Sequence, residues 1–277
     1  MSDRTILITG ATDGLGKGLA LELAHGGAAL VLHGRDDERG AQTIREISEQ
    51  TGNNRLSWAR ADFASLAEVR GLAQQVRAEH DRLDALVNNA GIGTTLPGGE
   101  SRMESADGYE LRFQVNYLSS FLLTRLLEPL LVASAPARVV NVSSAGQMPI
   151  DFEDVMLERD YSGVRAYCQS KLAQVMFTFD LAEELADRGV IANCLHPASY
   201  MPTKMVFAAR GSSVSTLEEG VRATARLVTD GALDGVTGRY FNGTNESRAE
   251  GQAYDPDARR RLRELSERLV ARYEAVE

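Results

Sequence analysis

Thiols are scarce in this chain: Cys168 and Cys194 are the only two in 277 residues. Neither stands in a C-x-x-C pair or a metal-ligand spacing, which excludes a disulfide scaffold and a cysteine metal centre and fits a reducing, cytoplasmic setting. The four histidines, His25, His33, His80 and His196, form no metal spacing either and read as structural. No apolar run approaches the ~18 residues that cross a bilayer, and no signal-peptide pattern opens the sequence, so no membrane span is expected. Basic residues are in the minority. Lys and Arg number 30 against 39 Asp and Glu, a net charge of −9 and a pI near 5.1, which argues against nucleic acid or an anionic membrane as principal partner. Repeats, low-complexity tracts and linker-like shifts in composition are also missing. The expectation is one domain over residues 1–277, long but within the range of a single α/β unit.

What the chain has instead is alternation. Short, β-branched or apolar runs at 5–9, 29–33, 56–61, 83–88, 138–143, 190–195 and 238–241 read as strands. Helical spacing marks 14–25, 38–50, 65–79, 107–131, 163–187 and 217–229, with a charged terminal helix at 255–270. Such alternation implies parallel strands joined by right-handed crossovers. The expected fold is therefore α/β: a Rossmann-type doubly wound parallel sheet of about seven strands with helices on both faces. A loop rich in Gly and Thr is expected over 91–99, and irregular loops over 145–162 and 197–216. Loops at the carboxyl ends of such strands build the binding crevice.

Between the first strand and the first helix runs Thr9-Gly10-Ala11-Thr12-Asp13-Gly14-Leu15-Gly16. Glycines there permit a tight turn and close approach of a pyrophosphate, and the helix N-terminus supplies N–H groups. Gly10, Thr12, Asp13, Gly14, Leu15 and Gly16 are thus candidate dinucleotide contacts, on the spacing G-x-x-x-G-x-G, a variant of the common fingerprint. The second strand ends in His33-Gly34-Arg35-Asp36. An acid at this point binds a ribose 2′-hydroxyl, whereas an Arg accommodates a 2′-phosphate. Gly34 occupies the place of the acid, so Arg35 and NADP(H) are favoured. NAD(H) stays open, since Asp13 would repel a phosphate brought near it.

Tyr167 and Lys171 are four residues apart, which on a helix puts them on one face. A phenol titrates near ~10, and an ammonium one turn away favours its phenolate. The pair is a candidate general acid/base, although an isolated pair of this kind is far more often a surface Lys beside a packed Tyr.

Three further pieces accompany it: Asn88-Asn89-Ala90-Gly91 closing the fourth strand, Asn116 in the long helix, and Ser143-Ser144 ending the fifth strand. Together with T-G-x-x-x-G-x-G and Y-x-x-x-K, these make residues 4–245 resemble the short-chain dehydrogenase/reductase family. Residues 135–144 and 166–173 are closest to its retinol-dehydrogenase-like branch. The resemblance implies an oxidoreductase in which Tyr167 is the acid or base, Lys171 lowers its pKa and holds the nicotinamide ribose, Ser144 rather than Ser143 orients the substrate oxygen, and Asn116 serves a proton relay. It also implies cofactor contacts from Asp62 and Phe63 at the adenine, from Asn88, Asn89, Ala90 and Gly91 along the adenosine side, and from Pro197 and Thr203 at the nicotinamide. The sequence departs from the family in having Ala198 after Pro197, and in a Ser144-to-Tyr167 spacing of 23 (167 − 144), which is typical of that branch. The extra residues, Met148, Pro149, Ile150 and Phe152 among them, are expected beside the active site. With Met205 and Phe207 they suggest a hydrophobic substrate pocket, or a lid packed on itself. The implied activity is hydride exchange between NADPH and a lipophilic carbonyl or alcohol. The alternatives are an NAD-linked oxidative dehydrogenase and a non-catalytic cofactor-binding regulator. Self-association through helices 107–131 and 163–187 is expected.

Overall fold

The computed structural model describes residues 2–96 and 101–274. Its strands are β1 (Thr5–Ile8), β2 (Ala29–Gly34), β3 (Leu56–Arg60), β4 (Ala85–Asn88), β5 (Ala137–Val142), β6 (Val190–His196), β7 (Arg239–Asn242) and β8 (Asn245–Ser247). They form one sheet in the order β3-β2-β1-β4-β5-β6-β7-β8. All pairings are parallel except the last, β7 with β8. The order reverses between β1 and β4, and the crevice outside the carboxyl ends of strands at such a switch point is where open α/β sheets bind ligands.

The helices are α1 (Gly14–His25), α2 (Asp37–Thr51), α3 (Leu66–Glu79), α4 (Ser119–Ala133), α5 (Gly163–Glu184), α6 (Lys204–Arg210), α7 (Leu217–Thr229) and α8 (Pro256–Glu274). Strands buried on both faces need apolar side chains on both, hence near-continuous runs such as Thr5-Ile6-Leu7-Ile8, all four buried. Leu7, Val31, Leu86 and Val139 point into the core under α3, α4 and α5, while Ile6, Ile8, Leu30 and Val140 point into the core under α1, α2 and α7.

The structure adds to the expected elements in three places. The residues read as irregular between 197 and 216 contain α6, which buries none of its side chains. It is set by its ends instead: the Thr203 side chain caps it and Gly211 (φ +77°) stops it, so amphipathic periodicity could not reveal it. The short β8 is entirely exposed and polar; its signal is the turn at Gly243 (φ +59°). The helix read as starting at 107 opens instead with a π-helical stretch, Phe113–Leu118, that runs into α4. The glycine-rich loop read as ending at Gly99 passes, beyond Leu96, outside the described residues.

The terminal helix α8 packs across α4 and α5. Tyr117 Oη meets Ser266 Oγ at 2.6 Å in the interior. Asp180 of α5 takes ion pairs from Arg259 and Arg263 at 3.2 and 3.3 Å. α8 thus packs against both helices through which self-association was expected.

Candidate active site

The glycine loop closes β1 onto β4. Thr9 Oγ1 accepts the Asn89 and Ala90 N–H groups at 2.9 and 3.0 Å, and Asn89 Nδ2 donates to the carbonyls of Thr9 (2.8 Å) and Gly10 (3.1 Å). Gly10 has φ +66°, and a Cβ there would stand 2.9 Å from Ala90 Cα. A Cβ on Gly16 would run into the Gly10 carbonyl oxygen and Asn89 Nδ2. The bare backbone at the N-terminus of α1 is the cradle a pyrophosphate requires. Asp13 caps α1 through the Gly14 N–H (2.8 Å), and Leu15 turns its side chain into the core, leaving only its main chain at the loop. Gly16→Ala should cost about 3 kcal/mol through backbone overpacking, measured as a lowered midpoint in urea.

His33, expected to be structural, is a buried support of the glycine loop. Its Nδ1 accepts the Gly10 N–H at 3.2 Å, its Nε2 meets the Ala61 carbonyl at 3.0 Å, and its ring stacks on Phe63 at 4.5 Å. It ties the glycine loop to β2 and β3, and Nδ1 can do so only as a neutral imidazole. Burial pulls its pKa from 6.5 down to about 4. Between those values the unfolded chain binds the extra proton, so stability is complete above pH 6.5 and declines as pH falls toward 4. The loss should reach about 2 kcal/mol by pH 5. Urea titrations of His33→Asn, set against the parent protein, should lack this slope.

At the end of β2 a Cβ on Gly34 would lie 2.7 Å from Trp58 Cη2 and 3.1 Å from Thr12 Cγ2. Trp58 thus packs against Gly34 and is fixed by its indole N–H to Asp37 (2.7 Å). Asp36 is spent capping α2 through the Arg39 N–H (3.1 Å). Asp13 accepts Arg39 at 3.3 Å and Lys204 at 2.7 Å. Partial burial works against its carboxylate, but Lys204, the Gly14 N–H and Arg39 outweigh that and hold its pKa low. Arg35 is exposed and, among the described residues, its guanidinium has no hydrogen-bond or ion-pair partner.

Tyr167 and Lys171 lie on α5, with Lys171 Nζ 5.8 Å from the Tyr167 ring centroid. Burial raises the phenol's pKa and the Ser144 hydroxyl, bonded to it, pulls it back in part. The expected lowering by Lys171 is not seen in this arrangement, because Nζ is turned away to the Val142 carbonyl (2.9 Å) and Gln174 Oε1 (2.8 Å). Burial brings Lys171 itself down to about 7. Of the two serines, Ser143 is committed, its hydroxyl donating to the Lys171 carbonyl at 2.8 Å. Ser144 Oγ accepts the Gly146 N–H at 3.0 Å. A Cβ on Gly146 would stand 3.5 Å from Ser144 Oγ and 3.8 Å from Tyr167 Cε1, so Gly146 keeps the space between loop and phenol open.

Asn116 sits in the π-helical stretch, a feature frequent at functional sites. Its Oδ1 accepts the Ile92 N–H (2.7 Å), and its Nδ2 donates to the Ile92 carbonyl (3.1 Å) and Ser170 Oγ (2.9 Å). Gly91 separates Asn116 from Lys171: a Cβ there would lie 3.1 Å from Asn116 Oδ1 and 3.6 Å from Lys171 Nζ. Asn88, by contrast, is a buried strut, donating to Thr124 and Asn141.

Asp62 and Phe63 follow β3. Asp62 caps the next turn through the Ala64 N–H (2.9 Å), and Phe63 is core, under His33. Pro197 is buried directly after β6. The unusual path beyond it is explained by Tyr200, a non-glycine residue at φ +51°. It brings Thr203 over the loop, where a Cβ on Gly14 would meet Thr203 Cγ2 at 3.0 Å, while Met205 covers Gly93. The loop after Ser144 divides. Met148 is exposed, but Ile150 is buried in the core, and Phe152 lies under the Arg261 guanidinium of α8 at 4.6 Å. Ile150 and Phe152 therefore do not line the crevice as expected. Among the described residues no cluster of His, Cys, Asp or Glu forms a metal site, and no helix is long and apolar enough to cross a membrane.

Residues 4–212 match the short chain dehydrogenase family. The chain belongs to this family. Mouse retinol dehydrogenase 13 is 37% identical over 96% of this chain and 84% of its own length. A protein from Mycobacterium paratuberculosis superposes with a TM-score of 0.80 at 30% identity, covering 98% of this chain and 94% of that one. A short chain dehydrogenase from Escherichia coli, solved with NADPH, gives 0.72 at 28% identity, covering 88% and 98%. As a short chain dehydrogenase the chain is an oxidoreductase acting on a small molecule with a nicotinamide cofactor. The bare glycine loop, the neutral His33 behind it and the crevice at the strand ends fit such a dinucleotide.

Proposed function

We propose that this short chain dehydrogenase is an NADPH-dependent reductase of lipophilic aldehydes or ketones, reversible as an alcohol dehydrogenase. The observation that carries the cofactor choice is the pair Gly34 and Arg35. Trp58 leaves no room for an acid at 34, while the adjacent guanidinium is unpartnered among the described residues and available to a 2′-phosphate. Asp13, the group that would repel that phosphate, is already neutralised by Arg39 and Lys204. The glycine loop, Asn89 to Gly91, Pro197 and Thr203 would hold the rest of the cofactor, whose chemistry is hydride donation.

The chain's own part is acid/base work and positioning. Ser144 Oγ and Tyr167 Oη would together hold the carbonyl oxygen, and Tyr167 would deliver its proton. A phenol kept above its ordinary pKa is protonated at neutral pH, the state in which it can give a proton to the carbonyl oxygen. Oxidation needs the phenolate, so its rate should keep rising with pH beyond neutrality. Lys171, with a pKa near neutrality and Asn116 close by across Gly91, would return the proton. Exposed Met148, Tyr200 and Val214 on the two loops and Phe207 on α6 support a lipophilic substrate, and the retinol dehydrogenase relatives agree with that class. A cytoplasmic location belongs to the same reading. The test is cofactor oxidation with NADPH and NADH against a panel of retinoid, aliphatic and aromatic aldehydes, ketones and quinones. Turnover of lipophilic members with NADPH is expected. Inertness toward the whole panel would overturn the proposal.

A further inference from the structure

The loop after Ser144 is held by residues from the far end of the chain, beyond the 4–212 span that matches the family. The Ser144 carbonyl accepts two bonds, from Gln147 Nε2 at 2.7 Å and from the Tyr240 hydroxyl of β7 at 3.1 Å. Burial keeps the Tyr240 phenol above its ordinary pKa, and so a donor. Gln147 is held in turn: its Oε1 accepts the Glu250 N–H at 3.0 Å. Two residues on, the Gln252 amide closes on Ile150 from both sides. Its Oε1 accepts the Ile150 N–H at 2.6 Å, and its Nε2 donates to the Ile150 carbonyl at 3.1 Å. The next N–H, of Asp151, goes to Gln169 on α5 at 3.1 Å.

We infer that Gln252 is a positioning residue for the substrate pocket: through Ile150, and with Glu250 through Gln147, it sets where Ser144 and residues 145–150 stand relative to Tyr167. Ser144 presents its hydroxyl to Tyr167 from a main chain whose carbonyl is fully occupied, so its aim depends on what anchors the loop. Both main-chain groups of Ile150 are satisfied by one side chain, as a neighbouring strand would satisfy them. Losing that side chain leaves two buried polar groups to find water, and the loop must move for water to reach them.

The kinetic half of the test rests on the proposed carbonyl reduction; the labelling half does not. Cys168 lies beneath this loop. A Cβ on Gly146 would be 3.4 Å from its Sγ, and its carbonyl accepts the Met148 N–H at 3.4 Å. Cys194 is fully buried on β6, with its thiol pushed up to about 12, and serves as an internal control for general unfolding. In the full chain, Gln252→Leu should raise the alkylation rate of Cys168 about tenfold through local opening, with Cys194 unlabelled. It should raise KM for the carbonyl by a similar factor and broaden the range of accepted carbonyls, with NADPH affinity unchanged. Gln252→Glu keeps the acceptor and loses the donor, and should fall between. The assignment is overturned if Gln252→Leu matches the parent protein in Cys168 labelling, or if both variants expose Cys194 as fast as Cys168, which would make Gln252 a general stabiliser of the fold. A parent protein inert toward every carbonyl would sink the reaction proposal, while Cys168 labelling would still decide the role of Gln252.

Discussion

Tyr167→Phe should lose on the order of 10³-fold or more in kcat, the range attributed to a positioned general acid, while NADPH binds with nearly unchanged affinity. The substitution removes one oxygen from a half-buried ring on α5 and leaves the glycine loop, Arg35 and Lys171 in place. Ser144 Oγ keeps its bond from the Gly146 N–H, so the loop should not collapse. Steady-state kinetics with a lipophilic aldehyde and fluorescence titration with NADPH separate the two effects. Turnover within a few-fold of the parent protein would remove Tyr167 from the mechanism. A matching loss of cofactor affinity would make its role one of binding.

Arg35→Ala should weaken NADPH by ~10- to 100-fold, the equivalent of one charge-assisted hydrogen bond to a phosphate, and leave NADH nearly unaffected. The specificity of this effect comes from the neighbours. Asp36 is used by α2, Asp37 by Trp58, and Asp13 by Arg39 and Lys204, so each of these three carboxylates is already engaged. Gly34→Asp should therefore fail to convert the protein to NADH, because the new Cβ meets the Trp58 ring. Equilibrium titrations of both variants with both cofactors check this. Equal losses for NADPH and NADH in Arg35→Ala would mean that Arg35 does not read the 2′-phosphate.

Much of the molecule was legible because its signals are local. Parallel strands declare themselves as apolar runs, and Gly10, Gly14 and Gly16 mark backbone conformations or approaches that other residues resist. Ser144, Tyr167 and Lys171 are separated by loop and helix but carry recognisable spacing. What was not legible depends on partners distant in sequence. Nothing near His33 announces that its ring will meet Gly10 and Ala61, and nothing near Gly34 announces Trp58. Gln174 lies three residues from Lys171, a spacing that could have suggested it as the acceptor for Nζ. The burial of Ile150 and Phe152 depends on α8 and the segment before it, more than 100 residues later, which is why the sequence alone placed both beside the active site.

In the proposed reaction, hydride passes between NADPH and the carbon of a lipophilic carbonyl. The most direct measurement is reduction of an aldehyde that the protein accepts, in ordinary water, with NADPH carrying deuterium at the transferable position of the nicotinamide. The expected product is an alcohol with deuterium on the former carbonyl carbon, formed with a kcat/KM at least about tenfold higher than with deuterated NADH. An unlabelled alcohol, or a preference for NADH, would contradict it.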